Sequence, residues 1–158
     1  MSKKIIFLDI DGVLNTAFTR KRNEHIDDFR VKLLSDIVQQ TNAKIVLTST
    51  WRFGFKRTFF GLKPINNSTK ALVEHFSKYH LKIYDILPDS PNEQRTYDVL
   101  VYIRTHNIQK FVVIDDEEFN FQSPQFKEHF FKTEFNTSNE QSSGLTQKIT
   151  ERIIKYFN

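Results

Sequence analysis

The 158 residues are enough for one domain with an ordinary core, and the absence of Cys excludes disulfides, a thiol nucleophile and a Cys-type zinc site. The formal net charge of +4 suits a phosphate-bearing partner, although many proteins carry such a charge for solubility alone. No stretch approaches the ~20 apolar residues of a membrane span, and the apolar run near the N-terminus is too short for a signal peptide, so we expect a soluble cytoplasmic protein with no membrane partner.

The first predicted element is a buried strand over residues 5–8, which leads directly into Asp9, Ile10, Asp11 and Gly12. Side chains of a strand alternate between its faces, so Asp9 and Asp11 are expected on the same side, with Ile10 in the core. Two carboxylates placed together repel each other unless they are paired. The pair is explained equally well by turn or capping chemistry and by a divalent cation with oxygen ligands.

Helices and buried strands alternate through the first half of the chain. Residues 16–28 are polar and are predicted to form a connecting segment near the end of the first strand. The spacing of apolar residues predicts a helix over residues 26–40. The sequence KIVLTS at residues 44–49 predicts a second buried strand that ends in hydroxyl side chains. A loop rich in cations and aromatic rings follows at residues 51–60.

The alternation continues in the second half. The predictions in chain order are a helix capped by Ser68, a strand over residues 81–87, a helix over 95–106, a strand over 111–114, an edge strand within 130–135, a surface loop over 136–143 and a last helix starting at Gly144. This pattern is typical of an α/β domain with a mostly parallel central sheet, and we expect residues 1–158 to form a single domain.

Polar residues follow three of the four buried strands. They are Asp9 and Asp11, Thr48 and Ser49, and Asp115 and Asp116. Ligands of open α/β sheets bind at the carboxyl ends of the strands, where these residues are expected to converge. Three strands that end independently in polar residues at one edge would be a large coincidence, so we favour a cation site over turn chemistry.

These motifs resemble the haloacid dehalogenase (HAD) superfamily of phosphotransferases. Residues 9–14 match its first motif, D-x-D-G-[VT]-[LI], a hydrophobic strand ending in Thr48 matches the second, and Asp115 with Asp116 matches the fourth. The third motif is normally a Lys at the start of the helix before the last strand, and here Arg95 stands at that position. Together with the run LTSTWR, the ordered set is similar to small HAD domains grouped with RNA-repair proteins.

The resemblance implies a Mg²⁺-dependent phosphomonoester hydrolase. Asp9 is the implied nucleophile, which forms an aspartyl-phosphate, and Asp11 is the implied general acid and then base. For this division of labour Asp11 must hold a proton at neutral pH that Asp9 does not. The implied ligands of Mg²⁺ are Asp9, the backbone carbonyl of Asp11 and Asp115, with Asp116 ligating directly or through water.

The resemblance and the positions of the residues suggest further roles. Thr48, or Ser49 if the strand register differs by one, would donate a hydrogen bond to a phosphoryl oxygen, and Arg95 would stabilise charge on the transferring group. Arg52 is expected to contact substrate or phosphate, because it lies just past the second strand. Gly12 is expected to free the backbone for the turn at the substrate site.

The implied fold is a three-layer Rossmann-like HAD fold with no substantial cap domain, since residues 16–26 and 51–67 are both too short for one. An open site admits large substrates, so we expect a phosphorylated small molecule or a nucleic-acid end. The cations and rings of Arg52, Lys56 and Arg57 and the neighbouring phenylalanines either bind bases and phosphates or simply pack the loop.

Two other functions remain open at this point, and the sequence does not determine the oligomeric state. The chain could be a HAD-fold binding protein that has lost catalysis. It could also be a metal-dependent nuclease that uses the same carboxylates through activated water.

Overall fold

The structure is a computed structural model that describes residues 3–88 and 94–158. The strands in chain order are β1 (Lys4–Leu8), β2 (Lys44–Leu47), β3 (Phe55–Thr58), β4 (Gly61–Pro64), β5 (Ile83–Ile86), β6 (Lys110–Asp115) and β7 (Phe130–Lys132). The helices are α1 (Ala17–Lys21), α2 (Asp28–Thr41), α3 (Asn67–Lys78), α4 (Arg95–Thr105) and α5 (Gln147–Phe157). Two short 3-10 helices span Thr50–Gly54 and Glu140–Ser142.

Five strands form one parallel sheet in the order β5-β2-β1-β6-β7, which confirms the predicted α/β class. From the central strand β1, the chain builds one side of the sheet with β2 and β5 and the other side with β6 and β7. The carboxyl ends of β1 and β6 therefore border the point where the strand order reverses. Open α/β sheets bind their ligands at such a switch point.

Both faces of the sheet are covered, which gives the predicted three-layer arrangement. On β1, Ile6 and Leu8 belong to a core cluster that includes apolar residues of α2, α3 and α5. Ile5 and Phe7 point to the opposite face and pack with α4 and the Phe-rich segment at 121–130. Burial on both faces explains why β1, β2 and β6 read as continuous apolar runs rather than alternating ones.

The start of α3 differs from the prediction. The helix is capped by Asn66, whose side chain accepts a hydrogen bond from the backbone N–H of Thr69 at 2.9 Å. The Thr69 hydroxyl lies at hydrogen-bond distance from the Asn66 N–H in return, so a capping box fixes the helix start. Ser68, the predicted cap, is the second residue of the helix.

The start of α5 was also predicted too early. Thr146 caps this helix by accepting a hydrogen bond from the N–H of Ile149 at 3.2 Å. Gly144 belongs to the preceding turn, where its φ of +64° suits Gly and its N–H donates to the carbonyl of Glu134. A hydroxyl that can accept from the first turn decides the boundary, and Gly144 has none.

The predicted loop at residues 51–60 is more ordered than expected. It contains a 3-10 helix and the first strand of an antiparallel hairpin, β3–β4, in which Thr58 pairs with Gly61. Among the described residues, the segments between β1 and α2 and between β2 and α3 hold no inserted cap domain. No helix within these described parts is long and apolar enough to cross a membrane.

Candidate active site

The ends of β1 and β6 bring three carboxylates together. Leu8 pairs with Ile114 in the parallel ladder, and the N–H of Asp9 donates to the carbonyl of Ile114 at 3.0 Å. Asp9 is therefore level with Asp115, the last residue of β6. Asp9, Asp115 and Asp116 each offer a carboxylate oxygen, and these three oxygens lie within 4.8 Å of one another. The predicted convergence of these carboxylates is present.

Arg95 joins two of the three carboxylates. Its Nη1 donates to Asp115 Oδ2 at 2.6 Å and to Asp9 Oδ1 at 3.1 Å, and its guanidinium lies 4.7 Å from the ring centre of Phe119. The first residue of a helix is an unfavourable position for a cation because the helix dipole is positive there. Burial also opposes the charge, but the carboxylates of Asp9 and Asp115 outweigh it and raise the pKa of Arg95.

The three carboxyl groups resist ionisation when no further positive charge is present. Burial, followed by repulsion from Asp115, raises the pKa of Asp9 well above its usual range. Burial likewise raises the pKa of Asp115, and burial with repulsion from Asp115 raises the pKa of Asp116 to about 6. Arg95 therefore offsets only part of the cost of placing these groups together.

The side chain of Asp11 lies outside this group of three and is held by hydrogen bonds. Trp51 Nε1 donates to Asp11 Oδ2 at 3.0 Å, while Asn15 Nδ2 donates to Oδ1 at 2.8 Å and Arg20 Nη2 to the same oxygen at 3.3 Å. Both oxygens have donors, so the orientation of the carboxylate is fixed. Trp51 lies in the run LTSTWR, but its contact with Asp11 was not predicted, because only the fold brings the indole to this carboxylate.

Gly12 makes room for Asp116. Its φ is +79°, and a Cβ at this position would lie 2.3 Å from Asp116 Cγ, so no other residue fits without displacing the carboxylate. Its N–H donates to Asn15 Oδ1 at 3.2 Å, and its carbonyl accepts from the Thr133 hydroxyl at 2.7 Å. The polar groups of Gly12 thus have partners within the protein, and its contribution to the site is space.

The carboxylates open into a cavity of about 320 Å³. It is lined by Asp9, Asp11, Arg20, Ser49, Thr50, Arg95, Asp116, Glu117 and Phe135. Four acidic side chains face two arginines, so an anionic substrate would be repelled unless a cation accompanied it. Sequence reasoning assigned no role to Arg20, Thr50, Glu117 or Phe135; Thr50 lies in the run LTSTWR, and the other three belong to no local motif.

The two hydroxyls after β2 lie in different surroundings. Ser49 lines the cavity, and its side chain accepts the Trp51 N–H at 3.3 Å. Thr48 is fully buried, does not line the cavity, and its hydroxyl has no hydrogen-bond partner among residues 3–88 and 94–158. Arg52 does not line the cavity either; its Nη1 donates to the carbonyls of Thr48 and Ser49 at 2.9 and 3.2 Å and so secures the end of the strand.

The donor set fits a hard divalent cation such as Mg²⁺. Asp9, Asp115 and Asp116 offer only oxygen ligands, which Mg²⁺ prefers over nitrogen or sulfur. Burial and mutual repulsion raise the pKa values of these carboxyl groups, which is the direction expected where a neutralising cation is absent, and Gly12 gives the Asp116 carboxylate the room that it occupies. These residues can therefore hold a metal ion.

Comparison with known proteins agrees with this architecture. No curated protein and no solved structure matches the chain. A family model described as "HAD domain in Swiss Army Knife RNA repair proteins" matches residues 5–147, which is well over half of the chain. The match covers the strand before Asp9, the helix that begins at Arg95 and the strand that ends at Asp115, and it confirms the resemblance inferred from the motifs. The chain therefore belongs to the family of HAD domains found in Swiss Army Knife RNA repair proteins.

Proposed function

We propose that this protein is a Mg²⁺-dependent phosphomonoester hydrolase that acts through a covalent intermediate on Asp9. The observation that carries the proposal is the grouping of Asp9, Asp115 and Asp116, two of which are bridged by Arg95, beside a cavity that Asp9, Asp11 and Arg95 line. The acceptor carboxylate, the charge-stabilising cation and a second acid thus share one cavity, which is what transfer of a phosphoryl group to a carboxylate requires.

In the first step a carboxylate oxygen of Asp9 attacks the phosphorus atom. A bond forms between this oxygen and phosphorus, the ester P–O bond breaks, and Asp11 gives a proton to the leaving oxygen. Arg95 stabilises the negative charge on the transferring group, and Ser49, which reaches the cavity, donates to a phosphoryl oxygen in preference to Thr48.

In the second step water attacks the phosphorus of the aspartyl-phosphate. Asp11 takes a proton from this water, the bond between phosphorus and the Asp9 oxygen breaks, and inorganic phosphate leaves. The hydrogen bonds from Trp51 and Asn15 hold the Asp11 carboxylate in one orientation for both proton transfers.

Asp9, Asp115 and Asp116, with the backbone carbonyl of Asp11, would hold Mg²⁺, which would supply positive charge for these carboxylates and for the phosphoryl group. Without it, burial and repulsion from Asp115 raise the pKa of Asp9, which opposes the ionised form that nucleophilic attack requires. Added positive charge therefore favours ionisation of the nucleophile. This effect links the proposed metal site to the proposed chemistry.

The proposal is tested by release of phosphate from a generic aryl phosphate. We expect turnover with Mg²⁺ and none after chelation. A panel of nucleotides, sugar phosphates, phosphopeptides and phosphorylated oligonucleotides then defines the substrate class. No turnover across this panel would favour a binding protein, and cleavage of internal phosphodiesters without removal of terminal phosphates would favour a metal nuclease.

Replacement of Arg95 by Met is expected to lower kcat by about 10²–10³-fold, because a charge-stabilising donor to the transferring group is lost. Arg95→Lys should retain most of the activity, since an ammonium can also lie between Asp9 and Asp115. Arg104→Met removes an exposed cation from the same helix and serves as the matched control. Steady-state turnover of the aryl phosphate measures all three; an Arg95→Met enzyme as active as the control contradicts the assigned role.

A further inference from the structure

The β3–β4 hairpin exposes two aromatic rings that the packing of the fold does not use. Phe59 and Phe60 form its two-residue turn, and their exposed fractions are 97% and 96%. Turns of this length favour Gly, Asn and Asp. The backbone conformation of the turn therefore does not explain why two phenylalanines stand there. The rings meet edge to face, with their centres 5.3 Å apart, and present a preformed aromatic surface to solvent.

Two lysines lie side by side on the outer face of the same hairpin. Lys56 pairs directly with Lys63 across the strands, and both are exposed. Like charges directly opposite each other in an antiparallel pair destabilise it. Neither lysine forms an ion pair within residues 3–88 and 94–158, so the protein itself provides no counter-charge.

The other face of the hairpin is anchored to the body of the protein. Phe55 is buried, and Leu62 is half-buried against the core. Arg57 Nη2 donates to Asp85 Oδ1 at 2.7 Å and to the carbonyl of Ile86 at 3.0 Å, which ties the hairpin to the end of β5. The outer side chains are therefore presented on a fixed support.

The chain segment that contains the hairpin has only positive charges, of which Arg57 is paired with Asp85 from another segment. Residues 44–73 contain six cations and no acidic residue: Lys44, Arg52, Lys56, Arg57, Lys63 and Lys70. Phe53 is 54% exposed, and the guanidinium of Arg52 lies 4.3 Å from its ring centre. The same segment passes the candidate active site before it reaches the hairpin, because Ser49 and Thr50 line the cavity.

We propose that Phe53, Lys56, Phe59, Phe60 and Lys63, the hairpin surface, bind single-stranded nucleic acid. Exposed rings stack on bases, and the two lysines supply the counter-charge for backbone phosphates. A single strand fits better than a duplex, because stacking on a protein ring requires bases that are not already stacked and paired. Binding of the strand to the hairpin surface does not depend on the proposed function. Only the further step, in which the strand presents its phosphorylated end to the cavity, rests on the proposed function.

The test measures fluorescence anisotropy of a labelled single-stranded oligonucleotide with a terminal phosphate. Phe59→Ala with Phe60→Ala is expected to weaken binding by about tenfold for each stacked base lost. Lys56→Gln with Lys63→Gln should reduce the slope of log affinity against log salt by about 1.4, at about 0.7 for each phosphate contact of a single strand. These four side chains are exposed, so the variants should fold as the parent does.

Matched controls are Phe29→Ala, which removes an exposed ring from α2, and Lys148→Gln, which removes a cation from α5. The proposal is overturned if the hairpin variants bind like these controls. It is also overturned if the parent protein binds a duplex of the same length, an acidic peptide or anionic lipid vesicles as tightly as the single strand.

The same variants separate this inference from the proposed function. The Phe59 and Phe60 double variant should turn over the aryl phosphate like the parent but lose activity on oligonucleotide ends. If the parent has no phosphatase activity, the proposed function fails while the anisotropy measurements still decide whether the hairpin surface binds nucleic acid.

Discussion

Replacement of Asp9 by Asn is expected to lower kcat for the aryl phosphate by at least about 10⁴-fold, because loss of a covalent nucleophile removes the whole reaction route. The fold should not suffer. Burial and Asp115 already disfavour the charged form of Asp9, and a neutral side chain of the same shape relieves that repulsion. Arg95 keeps its shorter contact, the 2.6 Å bond to Asp115.

Two measurements make this test specific to covalent catalysis. The first compares the turnover of Asp9→Asn with that of Asp36→Asn, a control variant that neutralises an acid on the outer side of α2. The second is acid quenching of the enzyme with a labelled phosphoryl donor: the parent should retain label, and the Asn variant should not. Full activity of Asp9→Asn would reject the aspartyl-phosphate route and would favour direct attack by activated water instead.

Removal of the metal is expected to have the second large effect on turnover. Chelation should abolish turnover, and readdition of Mg²⁺ should restore it. At one hundred times its Kd, a ligand that binds only the folded state stabilises it by about 2.7 kcal/mol, which raises Tm by roughly 5–10 °C for a chain of this size. Asp116→Asn should lose most of this shift and most of the turnover, whereas Asp36→Asn should keep both.

The stability of the metal-free protein should depend on pH in a defined direction. The pKa of Asp116 is raised from 3.8 to about 6, so between these values the folded state binds more protons than the unfolded state. The stability from this group is complete below pH 3.8 and is lost as the pH rises through about 6. Asp9 and Asp115 shift in the same direction.

Mg²⁺ should therefore raise Tm more at about pH 7.5 than at about pH 5, where protons compete for the same oxygens. Melting curves with and without Mg²⁺ at both pH values provide the measurement. In Asp116→Asn the difference between the two pH values should shrink. An equal Mg²⁺ effect at both values would show that these carboxylates do not hold the metal.

The sequence was sufficient where local patterns carry the information. Continuous apolar runs predicted β1, β2 and β6, the three central strands of the sheet, because strands buried on both faces need no alternation. The acids at Asp9, Asp11, Asp115 and Asp116 could be assigned to one edge, because parallel strands bring their carboxyl ends together. Helix starts were less certain: Asn66 and Thr146 compete with nearby residues that have similar capping propensity.

Other features of the site depend on contacts between distant segments. Arg95 could be proposed as a cation near the site, but its bridge between Asp9 and Asp115 requires α4 to start beside the ends of two strands. Trp51 reads as a loop aromatic until the fold places its indole against Asp11.

By itself the sequence determined the α/β class, the order of the motifs and the acidic residues of the candidate site. These features follow from apolar periodicity and residue type, which can be read directly from the sequence. Only the tertiary structure decided that Ser49 rather than Thr48 reaches the cavity, and that Phe59 and Phe60 face solvent. These outcomes depend on how a strand end twists and on which face of a hairpin packs. Both are set by surfaces far away in sequence, because a side chain faces solvent only where no neighbouring element covers it.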